Sequence, residues 1–188
     1  MGSLQIVSGT LRGRTVLTPA EDTTRPLLSR LRKTLADILR PNLQGASVLD
    51  LFGGSGAIAF ELLSNGAERA EIVELHPPAA ALIRNNAENL GLQDRVRVHC
   101  GDAIPMIDRL AESDYCFDII LVAPPYGLGL QQLAVNTLAS FNLLNKTGLL
   151  IAQRDKREPC TEPTSPLQHV RTRSYGRTVF EFFNLSTR

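Results

Sequence analysis

Apolar positions along the chain change their period at residue 41. Before it, Leu27, Leu28, Leu31, Leu35, Ile38 and Leu39 recur at helical spacing, which predicts an amphipathic helix over 26–40. Pro26 suits its first turn, with Thr23 or Thr24 available as the cap. Arg30, Lys33 and Arg40 then share the opposite face. Upstream, residues 4–8 and 14–17 are short strand candidates around GTLRG at 9–13, whose two glycines suit a hairpin or tight loop. After Pro41, short apolar runs alternate with helical patterns. Strands are predicted at 47–51, 70–74, 95–99, 117–122 and 148–153, and helices from about Gly56, over 77–90, and near 103–111 and 130–140. Such alternation builds a parallel sheet. Residues 167–173 and 177–184 flank Ser174-Tyr175-Gly176, so the chain is expected to close with an antiparallel hairpin at the sheet edge. Residues 159–166, with three prolines, read as a loop.

The expected class is α/β. A chain of 188 residues with 43% apolar content suits a single domain, 1–188. Within it, 1–25 form a hairpin appendage, 26–40 a basic amphipathic helix and 41–188 the sheet-containing core. No run of about 18 apolar residues occurs and no secretory signal opens the chain, so neither a membrane span nor export is expected. The expected location is the cytoplasm. Cys100, Cys116 and Cys160 lack metal-ligand spacing, and an odd number argues against a disulfide framework. His76, His99 and His169 likewise suggest no metal site.

Charge refines this picture. The net charge is +1, yet residues 1–40 carry seven Arg or Lys against three acids, residues 153–188 seven against four, and residues 41–152 six against twelve. Basic ends around an acidic middle can supply a cationic surface for nucleic acid if they fold onto one side. Scattered, solvated charge is the plainer alternative.

The densest motif is VLDLFGGSGAIAFE at 48–61, a strand, an acid and three glycines before a helix. Glycines there let the backbone approach a ligand closely. Gly54, Gly56 and Ala59 formally fit the dinucleotide fingerprint, with Glu74 near the distance of a ribose-binding acid. A dinucleotide site, however, wants its glycine turn directly at the strand end, where pyrophosphate meets helix amides. Here Asp50 ends the strand, so a carboxylate would sit close to any phosphate, and a ligand with an amine-bearing portion fits better. Asp50, Glu74 and Asp102 stand at the carboxyl ends of three successive strands, more than helix capping alone requires.

Asp50-Leu51-Phe52-Gly53-Gly54-Ser55-Gly56 resembles the first motif of class I S-adenosylmethionine-dependent methyltransferases. The resemblance implies that Phe52 and the loop Gly53, Gly54, Ser55 and Gly56 line the cofactor, and that Glu74, followed by Leu75, accepts hydrogen bonds from the ribose hydroxyls. It further implies that Asp102 and Ala103, after the third strand, hold the adenine edge. Over nearly the whole chain, IVSGTLRGRTVLTP at 6–19, TTRPLLSRLRKTLADIL at 23–39, APPY at 123–126 and YGRTVFEFF at 175–183 are similar to the RsmD family. Those enzymes methylate the exocyclic N2 of a guanine in bacterial small-subunit (16S) ribosomal RNA. The implied fold is a Rossmann-like, mostly parallel seven-stranded sheet with its last strand antiparallel, preceded by a small hairpin and helix.

The resemblance gives Ala123, Pro124, Pro125 and Tyr126 the catalytic position, with one departure. The family has Asp, Asn or Ser where this chain has Ala123, so the side-chain oxygen that holds the target amine is missing. Pro124 can still present its carbonyl, and Tyr126 can still stack on a flipped base. Arg12, Arg14, Arg25, Arg30, Arg32 and Lys33 are the implied phosphate contacts. The expected partner is ribosomal RNA or the small subunit, met as a monomer. Two other readings stay open: a non-catalytic protein that binds S-adenosylmethionine and RNA, and, more weakly, a nicotinamide dehydrogenase.

Overall fold

The structure is a computed structural model that describes residues 2–19, 26–113 and 115–186, with the backbone alone for 26–28. The proposed caps Thr23 and Thr24, and the proposed RNA contact Arg25, lie outside the described residues. A two-stranded antiparallel sheet pairs β1 (Gly2–Gln5) with β2 (Thr15–Thr18). Helix α1 (Pro26–Leu39) follows and ends in a 3₁₀ turn at Arg40–Asn42. The alternating part comprises β3 (Ser47–Asp50), α2 (Ala57–Ser64), β4 (Arg69–Glu74), α3 (Pro77–Leu90), β5 (Val96–Cys100), α4 (Ala103–Ala111), β6 (Phe117–Val122), α5 (Leu130–Ala139) and β7 (Leu144–Asp155). It closes with β8 (Leu167–Tyr175) and β9 (Thr178–Leu185).

The seven-stranded sheet has the order β5-β4-β3-β6-β7-β9-β8. Pairing is parallel for β4 with β5 and for β6 with β7, and antiparallel for β9 with both β7 and β8. The last strand is therefore antiparallel, as the sequence pattern implied. It is the first strand of the closing hairpin, β8, that lies at the sheet edge.

The chain groups into two compact units, one from 1–48 with Gly53–Gly101, the other from Leu49–Phe52 with Asp102 onward. In the first, Val48, Phe60, Leu62, Ile72 and Ile83 are fully buried. In the second, Leu121, Val122, Leu150, Ala152, Phe182 and Phe183 form the interior. Each large apolar side chain so buried contributes about 1.5–3 kcal/mol. Helix α3 shows the local rules at work: prolines at its start, and Gly91 at φ +73° as its C-terminal cap.

Two boundaries differ from the periodicity. The first strand was expected at 4–8, but the ladder ends near Ile6, whose N–H reaches the Arg14 carbonyl at 3.0 Å. Val7 and Ser8 instead donate to the buried carboxylate of Glu61 at 3.0 and 2.8 Å, which draws the chain off the strand. Strand β7 starts at Leu144 rather than 148. Its register with β6 jumps from Phe117–Leu144 to Ile119–Leu149, and Asn145 fills the gap by donating to Asp118 at 2.6 Å.

Candidate cofactor and acceptor sites

The glycine loop leaves β3 and turns into α2 in a few residues, and two of its glycines are dictated by space. A side chain at Gly53 would meet Ile72 Cγ2 at 2.4 Å, and one at Gly56, held at φ +78°, would meet the Phe60 ring at 2.7 Å. The loop is pinned by Gly53 donating to the Val73 carbonyl at 2.8 Å and Gly56 to that of Gly53 at 2.7 Å. Gly54 is exposed, with open space beyond its Cα. Ser55 is buried.

Glu74, at the end of β4, is buried and turned back onto this loop. Its Oε2 accepts from Gly54 N–H at 2.8 Å and its Oε1 from His76 N–H at 2.9 Å. A carboxylate oxygen has two acceptor sites, so each keeps one for an incoming hydroxyl. The backbone thus fixes the carboxylate without saturating it, which fits a vicinal diol such as the ribose of an adenosyl group. Leu75, next in sequence, is 56% exposed and offers an apolar surface.

In the second unit, Asp50 is almost wholly buried and accepts from Phe52 N–H at 3.2 Å. Phe52 is half-buried. Asp102 caps α4, its Oδ1 accepting from Ile104 N–H at 2.9 Å, while Ala103 is buried in the first turn. Capping thus occurs at Asp102, and it leaves the second carboxylate oxygen available.

The acceptor segment is built after β6. Ala123 is half-buried, Pro124 buried, Pro125 exposed, and Tyr126 is 42% exposed. The phenol is tethered at its far end: Gln153 Nε2 donates to Tyr126 Oη at 2.9 Å, and Thr178 Oγ1 lies 3.3 Å away. Glu158 bridges Gly127 N–H and Asp155 N–H through its two oxygens. The ring is therefore held in place while much of it stays exposed.

Of the proposed phosphate contacts, Arg12, Arg30 and Lys33 are exposed. Arg14 is exposed too, but its guanidinium donates to the Asn89 carbonyl at 2.6 Å, and Lys33 pairs with Asp37 at 2.6 Å. Arg32 needs correction. It is buried, donates to the Gln5 carbonyl at 3.1 Å and lies 4.0 Å from Glu61. Burial lowers its pKa, with Glu61 opposing the shift. It joins α1 to the hairpin instead of facing solvent.

Glu61, Asn86, Gln153 and Glu158 escaped the sequence reading. Glu61 alone carried a signal, an acid inside the apolar run AIAFELL. Asn86, fully buried on α3, exchanges both hydrogen bonds with Leu17 of β2 and donates to the Ser55 carbonyl at 3.5 Å. Among the described residues no group of three or more His, Cys, Asp or Glu could hold a metal ion. His99 meets Glu71 at 2.6 Å, and His169 packs edge-on against Phe183.

Residues 4–184 match the family described as Conserved hypothetical protein 95. The chain belongs to that family. It is the RsmD family of methyltransferases, and this methyltransferase family uses S-adenosylmethionine. The chain is 26% identical over 175 residues to YlbH of Bacillus subtilis, covering 93% of this chain and 95% of that protein. It is 30% identical over 154 residues to ribosomal RNA small subunit methyltransferase D of Escherichia coli, covering 82% and 76%. The solved structure of the Escherichia coli protein yhhF is similar with a TM-score of 0.85 and 25% identity, covering 100% of both chains.

Proposed function

We propose that this RsmD-family chain transfers a methyl group from S-adenosylmethionine to the exocyclic N2 amine of a guanine in small-subunit ribosomal RNA. The observation that carries the reading is Glu74, a buried carboxylate oriented by two backbone N–H groups with one acceptor site free on each oxygen. The pinned glycine loop beside it admits a close ligand. In this reading Glu74 holds the ribose hydroxyls, Gly53–Gly56 and Phe52 line the methionine-bearing part, and Asp102 and Leu75 meet the adenine. Asp50, with its negative charge, favours an amine-bearing ligand over a phosphate. When bound, the cofactor supplies an electrophilic methyl on a sulfonium.

The chain's own task is to orient a weak nucleophile, since the amine lone pair is delocalised into the purine. Tyr126 stacks on the extruded base, its ring kept in place by Gln153 and Thr178. The Pro124 carbonyl accepts one amine N–H and turns the nitrogen lone pair toward the methyl. As the N–C bond forms, the methyl–sulfur bond breaks with its electron pair staying on sulfur, the nitrogen loses a proton, and with alanine at 123 no side chain of the motif receives it. Solvent takes it. The protein is expected to act in the cytoplasm as a monomer. Among the described residues no helix is long and apolar enough to cross a membrane.

Incubation with labelled S-adenosylmethionine and undermethylated small subunits, followed by nucleoside analysis, should yield labelled N2-methylguanine. Retained cofactor and RNA binding without any transfer would replace the proposal with a non-catalytic binding protein.

A further inference from the structure

We propose that the edge strand β8 is a second RNA-contacting surface, on which Arg171 and Arg173 meet phosphates of the strand that carries the target base. This rests on the ribosomal RNA methyltransferase reading and extends the contact surface beyond the N-terminal segment.

Residues 163–180 contain Arg171, Arg173, Arg177 and His169 and no acid. Which face these side chains occupy follows from the register. Arg171 opposes Phe182, Arg173 opposes Phe180 and Tyr175 opposes Thr178, and directly opposed residues project to the same side of a sheet. On the other flank of β9, Phe180 opposes Gln153 and Thr178 opposes Asp155. Gln153 and Thr178 are the two residues that tether the Tyr126 hydroxyl. Arg171, Arg173, Tyr175 and the tether of Tyr126 thus share one face, with Tyr175 and the tether at the carboxyl end of β7. Two strand spacings, about 10 Å, separate β8 from β7.

A register shift selects that face. His169 opposes Phe183 and Arg171 opposes Phe182, so one extra residue, Val170, sits in β8. Had the register continued without the shift, Val170 would oppose Phe182 and Arg171 would oppose Glu181, projecting to the other side together with Arg173. Bulges of this kind re-aim side chains. The Arg171 guanidinium lies 4.6 Å from the centroid of the buried Phe182 ring, which holds it on the surface. Among the described residues neither Arg171 nor Arg173 forms an ion pair. At the adjoining rim, Arg157 and Arg177 both pair with Asp155, and Glu158, which accepts from Asp155 N–H, balances the second arginine.

Edge protection is the competing explanation, because charged side chains keep exposed strands from pairing with other chains. It accounts for arginine on β8. It does not account for the selection of the face that carries the Tyr126 tether, since protection works from either face.

The test pairs Arg171→Met, which keeps an apolar stem over Phe182, with Arg173→Gln. Binding of the full-length protein to undermethylated small subunits is measured across a salt series, with S-adenosylmethionine affinity as the control. Loss of two phosphate contacts should reduce the magnitude of the salt slope by about 1.4–1.8 and weaken binding roughly 10–30-fold near 0.15 M salt. Cofactor affinity should not change. Wild-type RNA affinity and slope in the double variant overturn the proposal, and added self-association in sedimentation would identify edge protection as the role. If the wild-type protein neither binds subunits nor methylates them, the ribosomal RNA reading fails and the proposal fails with it.

Discussion

Under the proposed function Ala123 stands where the resemblance implies an oxygen, and its neighbours are fixed: Tyr126 is tethered and Gly127 is held by Glu158. Ala123→Asp should therefore raise single-turnover methyl transfer at saturating cofactor. A well-placed proton acceptor contributes about 10²–10⁴ in rate, and the gain should sit near the lower bound because nothing else in the site was shaped to orient the new carboxylate. Equal rates in the two proteins would show that orientation by Pro124 and Tyr126 suffices. Glu74→Ala acts on the other substrate. In the proposed site it removes the acceptor for both ribose hydroxyls, and it also frees the N–H of Gly54, so calorimetry should show S-adenosylmethionine binding weakened by roughly 1.5–3 kcal/mol. Unchanged affinity in a folded variant would remove Glu74 from the site.

At the scale of elements, the hairpin is fastened to α2 by polar contacts. Glu61 accepts from Val7 N–H, Ser8 N–H and Ser8 Oγ, and Ser64 Oγ both donates to the Ser8 carbonyl and accepts from Leu11 N–H. Gly9 lies at the closest approach, at φ +77°, where an added Cβ would fall 1.9 Å from the Ser64 carbonyl oxygen. That atom is helix backbone and cannot retreat. Gly9→Ala should cost roughly 2–4 kcal/mol in urea unfolding, from left-handed strain plus overpacking. A loss under about 0.5 kcal/mol, the range of ordinary surface substitutions, would mean that the loop lifts off at little cost. Asn86 bridges β2 and the glycine loop, so cofactor affinity is a second readout of the same lesion.

At the scale of the molecule, one of the three points at which the chain passes from one compact unit to the other falls inside β3, between Val48 and Leu49, both fully buried. Domain boundaries normally fall in exposed linkers. One cooperative unfolding transition is therefore expected, with calorimetric and van't Hoff enthalpies equal; two separated transitions would contradict a single domain. Acid should weaken the fold through Asp155, whose carboxyl is held well below the usual carboxylate range by hydrogen bonds from Arg157 and, less strongly, Arg177. A depressed folded-state pKa stabilises above the unfolded value, about 4, and that contribution disappears as pH falls through the folded value. The stability difference between wild type and Asp155→Asn should accordingly be constant above about pH 5 and shrink below about pH 4. A difference independent of pH down to the acid limit would exclude Asp155 as the cause.

Period and composition by themselves determined which segments are helix or strand, the closing hairpin, and the glycine loop with acids at three strand ends, because these follow from contacts a few residues apart. The tertiary structure decided where polar side chains find partners. Arg32 reads as one more surface arginine on α1, yet it turns inward because Glu61, 29 positions later, waits in an apolar helix. Tyr126 is steadied by Gln153 and Thr178, 27 and 52 residues away. The face taken by Arg171 depends on the register shift at Val170, and a shift of one residue reverses every side chain of a strand. Local periodicity carries no record of such pairings, since burial and register arise only when distant segments pack.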